Sequence, residues 1–337
     1  MDINIPSITL VFLVLFHSIG YSQNLNSIAE KVTFKNGSIT LSGVLTMPKK
    51  GGSHPAIVFL HGSGPHTHKG FLIYAAKFAQ LGIASLAFDK RGTGQSEGSW
   101  IHSSIYDLAD DALAAITYLK SRPEIDTNRI GFWGISQAGW VAPIAYSKSE
   151  DVAFMIIISG GGSSPKESEE FSYKKWFEKL ELTKEEKDEG MKLVNEYMSY
   201  LSSKVSKEYL DRVLENVKNP KLKKLSERLN EITPSETNRK NWEWVSTYDP
   251  LDDIKNITCS VLLLFGGEDD NHPTELSIKK WEQGLELSNN DDFSIINFPE
   301  AGHGIRMRRG YKGKGRAPFA DGYWEVQIGW LFEKLFQ

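Results

Sequence analysis

The chain has 337 residues, 40% of them hydrophobic, and a formal net charge of −4. That length is enough to bury a large core in one α/β domain, and the charge gives no electrostatic reason to expect nucleic acid or an anionic membrane as partner. Cys259 is the one cysteine, which excludes an intrachain disulfide and reads as a small buried residue at the start of a strand.

Taken in chain order, Ile8 to Phe16 is almost wholly apolar and is then interrupted by His17, Ser18 and Gly20. The run is too short to span a bilayer comfortably. It fits the apolar core of a secretory signal with cleavage near Ser22 or Gln23, so residues 1–22 are expected to be a signal peptide and the protein to be exported, periplasmic or secreted. No Lys or Arg precedes the run and Asp2 adds a negative charge, which leaves an uncleaved membrane anchor as the alternative. Val32 to Leu45 alternates around Asn36-Gly37 and reads as a hairpin with a tight turn. Ala56 to Leu60 is a buried strand, followed by a helix through Tyr74 to Gln80 that ends at Gly82. Ala84 to Phe88 is the next strand. Leu108, Ala112, Ala115, Ile116 and Leu119 keep a helical period, Arg129 to Trp133 reads as a strand, and Val152 to Ile158 as another. Strands alternating with helices imply parallel βαβ units with helices on both faces of the sheet.

The pattern breaks after Gly160-Gly161-Gly162. From Pro165 to about Trp244 the chain is charged and helical, with Met191, Val194, Met198 and Leu201 on one stripe and Leu210, Val213, Leu214 and Val217 on another. Asp249-Pro250 returns it to the core. The expected organisation is therefore core over 23–162, helical insertion over 163–246 and core again over 247–337.

The chemistry-bearing motifs lie at strand ends. Gly134-Ile135-Ser136-Gln137-Ala138-Gly139 follows the Arg129 strand and precedes a helix-like run. A serine at a sharp strand-to-helix turn has its hydroxyl held clear of the backbone, and small residues must flank it. Gly134 meets that need; Ala138 stands where a glycine is usual. A serine nucleophile needs a base, and the base an orienting acid. The Val261 to Gly266 run ends in Gly267-Glu268-Asp269-Asp270, and Phe293 to Phe298 leads to Ala301-Gly302-His303-Gly304. The order Ser, Asp, His, each just past a strand, belongs to one hydrolase architecture among the common serine-hydrolase orders.

On these segments, together with His61-Gly62-Ser63-Gly64-Pro65 and Asp89-Lys90-Arg91-Gly92-Thr93-Gly94-Gln95-Ser96, the chain resembles α/β-hydrolase-fold serine hydrolases, with bacterial acyl esterases and the prolyl-oligopeptidase-like branch as its relatives. The resemblance runs from about Lys31 to the C-terminus apart from the insertion. It implies an α/β fold with a mostly parallel central sheet, helices on both faces, and a helical cap at the insertion. It further implies Ser136 as nucleophile, His303 as base and Asp270 as acid, since the acid of the family is commonly the Asp of Gly-Glu-x-Asp; adjacent Asp269 is expected to point elsewhere. An oxyanion needs preorganised donors, expected from the backbone N–H of Gln137 and, by the resemblance, of Ser63. Asp89 and Arg91 are expected to brace the loop under the site, Ser96 to sit in a turn or cap, His61 to be structural, and His272 to be a turn residue or to line the pocket. No metal or cofactor is expected: His61, His66 and His68 lie in a Gly-rich loop without a nearby carboxylate or cysteine in sequence.

These residues point to hydrolysis of a small-molecule acyl ester through an acyl-enzyme. A peptidase of the prolyl-oligopeptidase-like type and a non-catalytic binding relative are the alternatives. A peptidase would usually carry a large separate domain, and a binding relative would usually lose one of the motifs. The aromatics of the insertion, Trp176 and Phe177 among them, are expected to gate the acyl pocket.

Overall fold

A computed structural model describes residues 27–337; the expected signal segment lies outside the described residues. β1 (Ser27–Asn36) and β2 (Ile39–Pro48) form the expected hairpin, with Asn36 paired to Ile39 and the turn on Gly37-Ser38, where Gly37 takes φ 57°. There follow β3 (His54–Leu60), α1 (Leu72–Gln80), β4 (Ala84–Phe88), α2 (Ile105–Lys120), β5 (Ile125–Ile135), α3 (Ala138–Lys148) and β6 (Phe154–Ile158). The insertion then supplies α4 (Pro165–Lys179), α5 (Lys184–Leu201), α6 (Lys207–Glu215), α7 (Pro220–Ile232), α8 (Glu236–Arg239) and α9 (Trp244–Thr247). The core resumes with α10 (Leu251–Ile254), β7 (Ser260–Gly266), α11 (Thr274–Leu287), β8 (Phe293–Phe298) and α12 (Tyr323–Phe336).

The strands form one eight-stranded sheet in the order β1-β2-β4-β3-β5-β6-β7-β8. The β1–β2 and β2–β4 pairs are antiparallel and every later pair is parallel. Strands β3, β4 and β6 are buried along their whole length, because parallel strands covered on both faces must be apolar on both. On one face Phe59, Phe78, Trp133, Leu262, Leu264, Trp330 and Leu331 pack α1 and α12 against the sheet. On the other, Val58, Phe132, Ile157, Leu263, Ile116, Ala142 and Trp281 do the same for α2, α3 and α11.

The insertion helices begin where their sequences say they should. Ser164 with Glu167 and Thr183 with Glu186 form reciprocal capping boxes, and Pro165 and Pro220 stand in the first turns of α4 and α7. The insertion docks on the α3/α11 face and on the loop before α2: Trp140 and Trp244 rings are 6.0 Å apart, Lys280 Nζ lies 2.8 Å from Glu167 Oε2, and Trp242 Nε1 donates to Ile101 O at 2.7 Å.

Candidate active site

Ser136 closes the turn between β5 and α3 at φ 59°, a left-handed conformation that a non-glycine residue adopts only when its surroundings hold it. Its N–H donates to Ile158 O at 2.9 Å and its carbonyl accepts from Gly139 N–H at 2.8 Å. Close approach explains the flanking small residues. A Cβ at Gly134 would meet the Ala138 Cβ at 2.3 Å, and one at Gly160 would meet Ser136 O at 2.1 Å. Ala138 replaces the usual glycine because Gly134 leaves room for its methyl group.

His303 follows β8 and opens onto the same cavity as Ser136. Its Nδ1 is 2.8 Å from Asp269 Oδ2. Asp269, expected to point elsewhere, is therefore the carboxylate that orients the imidazole. It is 4% exposed; burial pushes its carboxyl up, but the hydrogen bond and charge of His303, the nearby His272 ring and the Asn271 N–H outweigh this and hold it below the usual range. Asp270, the expected acid, is corrected: it is half-exposed and pairs with Lys179 of α4 at 2.7 Å. The reason is the turn after β7. Glu268 N–H donates to Ala301 O, Asp269 N–H to Gly266 O, and Asp269 Oδ1 accepts from Asn271 N–H and His272 N–H at 2.8 and 3.2 Å. That turn aims Asp269 at the β8 loop and the next side chain at solvent.

His272 does not line the Ser136 cavity. It is buried behind His303, ring centroids 5.6 Å apart and 14° from parallel, with Nδ1 3.1 Å from Ser168 Oγ of α4. Burial, with the charge of His303 beside it, pushes its imidazole down to about 4, so the ring is neutral. Periodicity carries no signal for such a stacked partner.

The His61-Gly62-Ser63 loop lies against Ser136: a Cβ at Gly62 would be 3.5 Å from Ser136 Cβ. Among the described residues neither the Ser63 nor the Gln137 N–H has a protein acceptor. One residue ties both together. Lys90 Nζ donates to Gly62 O at 2.6 Å and to Gln137 Oε1 at 3.0 Å. Lys90 is 4% exposed and forms no ion pair among the described residues, and burial pushes its amine down to about 7. In the sequence Lys90 stands only as a member of the Asp89–Ser96 motif. The rest of that motif braces as expected. Asp89 accepts from His68 N–H and Gln95 N–H at 2.8 and 2.9 Å, Arg91 grips Asp111 through Nε and Nη2 at 2.7 Å each, and Ser96 Oγ donates to Asp89 O. His61 Nε2 donates to Phe88 O at 2.6 Å, and burial pushes the ring down to about 3. His66 and His68 bond separate partners, Ser63 O and Asp89.

The cavity at Ser136 and His303 measures about 980 Å³. Its walls come from the 61–74 and 303–319 segments with Ile135 and Asn271 beside Ser136; Phe71, Tyr74 and Phe319 bring aromatic side chains to it and Arg306, Arg308 and Arg316 charge. No residue of the insertion lines it, so the expected gating by Trp176 and Phe177 is corrected. Phe177 is fully buried, with the Tyr173 and Trp176 rings tilted against it at 6.3 and 5.7 Å between centroids. A second cavity, of about 770 Å³, adjoins the first at Asn271, His303 and Arg308, is lined by Asp269 and Asp270 as well, and is the one that α4 reaches, through Phe171 and Lys175.

With this geometry in place, comparison with known proteins gives a consistent result. Esterase EstD of Thermotoga maritima is 26% identical over 285 residues, covering 80% of this chain and 60% of that protein. An esterase of Pyrococcus furiosus superposes with a TM-score of 0.60 at 16% identity over 92% of each chain. The acylaminoacyl peptidase of Pyrococcus horikoshii gives 0.59 at 20% identity over 92% of this chain and 42% of that one. These structural likenesses establish the α/β-hydrolase fold. Residues 113–308 match the family model described as BAAT / acyl-CoA thioester hydrolase C terminal.

Proposed function

The chain belongs to the BAAT / acyl-CoA thioester hydrolase C-terminal family, and from that premise we propose that this hydrolase cleaves small-molecule carboxylic esters or thioesters through a Ser136-linked acyl-enzyme. The observation that carries the reading is the 2.8 Å His303–Asp269 pair opening, with the strained Ser136 turn, onto one cavity. Ser136 Oγ attacks the carbonyl carbon while its proton passes to His303 Nε2; Asp269 holds Nδ1–H and stabilises the imidazolium. The N–H groups of Ser63 and Gln137 receive the developing oxyanion. Lys90 holds both donor segments and polarises the Gly62–Ser63 peptide, whose carbonyl it binds. The leaving alcohol or thiol takes the proton from His303, and water then repeats the sequence to release the acid.

A peptidase reading draws on the Pyrococcus horikoshii neighbour, but that chain has more than half its length outside the match. Nitrophenyl acyl esters, acyl thioesters and aminoacyl amides offered to wild type and Ser136→Ala decide between them. Turnover of esters or thioesters that Ser136→Ala abolishes, with the variant still folded, is the expected result. Undiminished turnover in the folded variant removes Ser136 from the mechanism, and turnover of amides alone makes the protein a peptidase.

A further inference from the structure

The segment Arg306-Met307-Arg308-Arg309-Gly310-Tyr311-Lys312-Gly313-Lys314-Gly315-Arg316 is rich in cations and has no Asp or Glu, in a chain whose net charge is −4. Three of them, Arg306, Arg308 and Arg316, line the Ser136 cavity, Arg308 and Arg316 at its solvent-exposed rim, and no carboxylate side chain lines it with them. Their partners separate their roles. Arg306 is structural: Nη1 donates to Ala317 O at 2.8 Å and its guanidinium lies 3.3 Å from the Phe319 ring centroid. Arg309 pairs with Glu268 at 2.7 Å. Arg308 and Arg316 line the cavity with no ion pair or side-chain hydrogen bond among the described residues, Arg308 where the Ser136 cavity meets the second one. The charge is also concentrated: Arg306 and His66 are held below their ordinary values first by burial, and the nearby charge of Arg316 adds to this in both. Like charges held together at a cavity wall repel, and an anion between them relieves the repulsion.

Resting on the hydrolase reading above, we propose that the substrate carries an anionic group, a carboxylate or a phosphate, which is received by Arg308 and Arg316 while its apolar body lies along Phe71 and Tyr74. Guanidinium groups suit this because their fork of donors matches carboxylate and phosphate oxygens in pairs. The aromatic wall lies on the same cavity as Ser136, so a substrate with an apolar middle and a charged end spans from nucleophile to arginines.

Three nitrophenyl esters with one leaving group test this: the butyrate, the glutarate half-ester and a butyrate bearing a terminal phosphate. Wild type is expected to favour one anionic ester over the neutral one by about tenfold or more in kcat/KM, as a charge-assisted pair implies. Which anion is favoured distinguishes carboxylate from phosphate. Arg308→Gln/Arg316→Gln should collapse that ratio, as should added salt. Lys223→Gln/Lys224→Gln, with the same change of net charge on exposed positions of α7, should preserve it. Calorimetry of glutarate and of the phosphorylated acid with Ser136→Ala reads anion binding without turnover, so failure of the hydrolase reading and failure of this one are separable. The proposal is overturned if the neutral ester matches or beats both anions, or if the arginine double variant keeps the wild-type ratio.

Discussion

At the scale of single residues, the structure separates two neighbouring carboxylates that sequence cannot. Asp269 is buried on His303, and Asp270 is half-exposed on Lys179. Asp269→Asn should lower kcat by about four orders of magnitude, because the imidazole then loses its tautomer and its counter-charge, while Asp270→Asn should stay within about twofold, as loss of an exposed ion pair implies. Steady-state kinetics on one ester reads both. Lys90→Met should reduce kcat about ten- to a hundredfold with a smaller effect on KM, since it loosens donors that act on the transition state rather than on bound ester; equal changes in both would make Lys90 a binding residue only. The Ser136 turn and the His303 loop were legible because each sits at a strand end among glycines, a pattern with few other uses. The carboxylate that bonds His303 was not, because the choice depends on which way one turn faces. That turn is set by hydrogen bonds from Asn271 and His272 to Asp269 Oδ1, and residue spacing does not encode them.

At the scale of elements, the insertion shows what periodicity conveys and what it omits. Its helices were legible from apolar stripes and from capping residues such as Ser164 and Glu167. Where their apolar faces go was not, because an amphipathic stripe reads the same whether it covers a pocket or a neighbouring helix. Phe177 packs on Gly190 of α5, where an added Cβ would lie 2.8 Å from its ring. Phe177→Ala should therefore cost about 3–5 kcal/mol of stability, the usual range for truncating a buried aromatic, and leave acyl-length selectivity in the surviving folded enzyme unchanged. Urea denaturation beside an ester-length series checks both; a shifted length preference would return the insertion to the pocket wall.

At the scale of the whole molecule, the site depends on neutral histidines buried in the fold. His61 and His272 are pushed down by burial to about 3 and about 4, below the ordinary value of about 6.5. As pH falls through about 6.5 the unfolded chain takes up these protons first, so the stability present above that pH is lost progressively through about 4 for His272 and about 3 for His61. Each contributes up to about 1.4 kcal/mol per pH unit in its window. Lys90 titrates on the other side: its folded value near 7 lies below the ordinary lysine value, so its effect is a rise in stability with pH above about 7 and none in the acid window. Urea midpoints between pH 4 and 6.5 should fall with acid in wild type, and His272→Gln should flatten the slope; an unchanged slope would mean that ring is already charged when folded. The covalent step itself is tested most directly by rapid-quench mass spectrometry of the enzyme with a slowly hydrolysed nitrophenyl ester. The expected result is a nitrophenol burst with the acyl mass on the peptide containing Ser136, accumulating and then decaying. A burst with the acyl group on another residue, or steady turnover with no acylated enzyme at any time under conditions where deacylation is slow, would contradict a Ser136-linked intermediate.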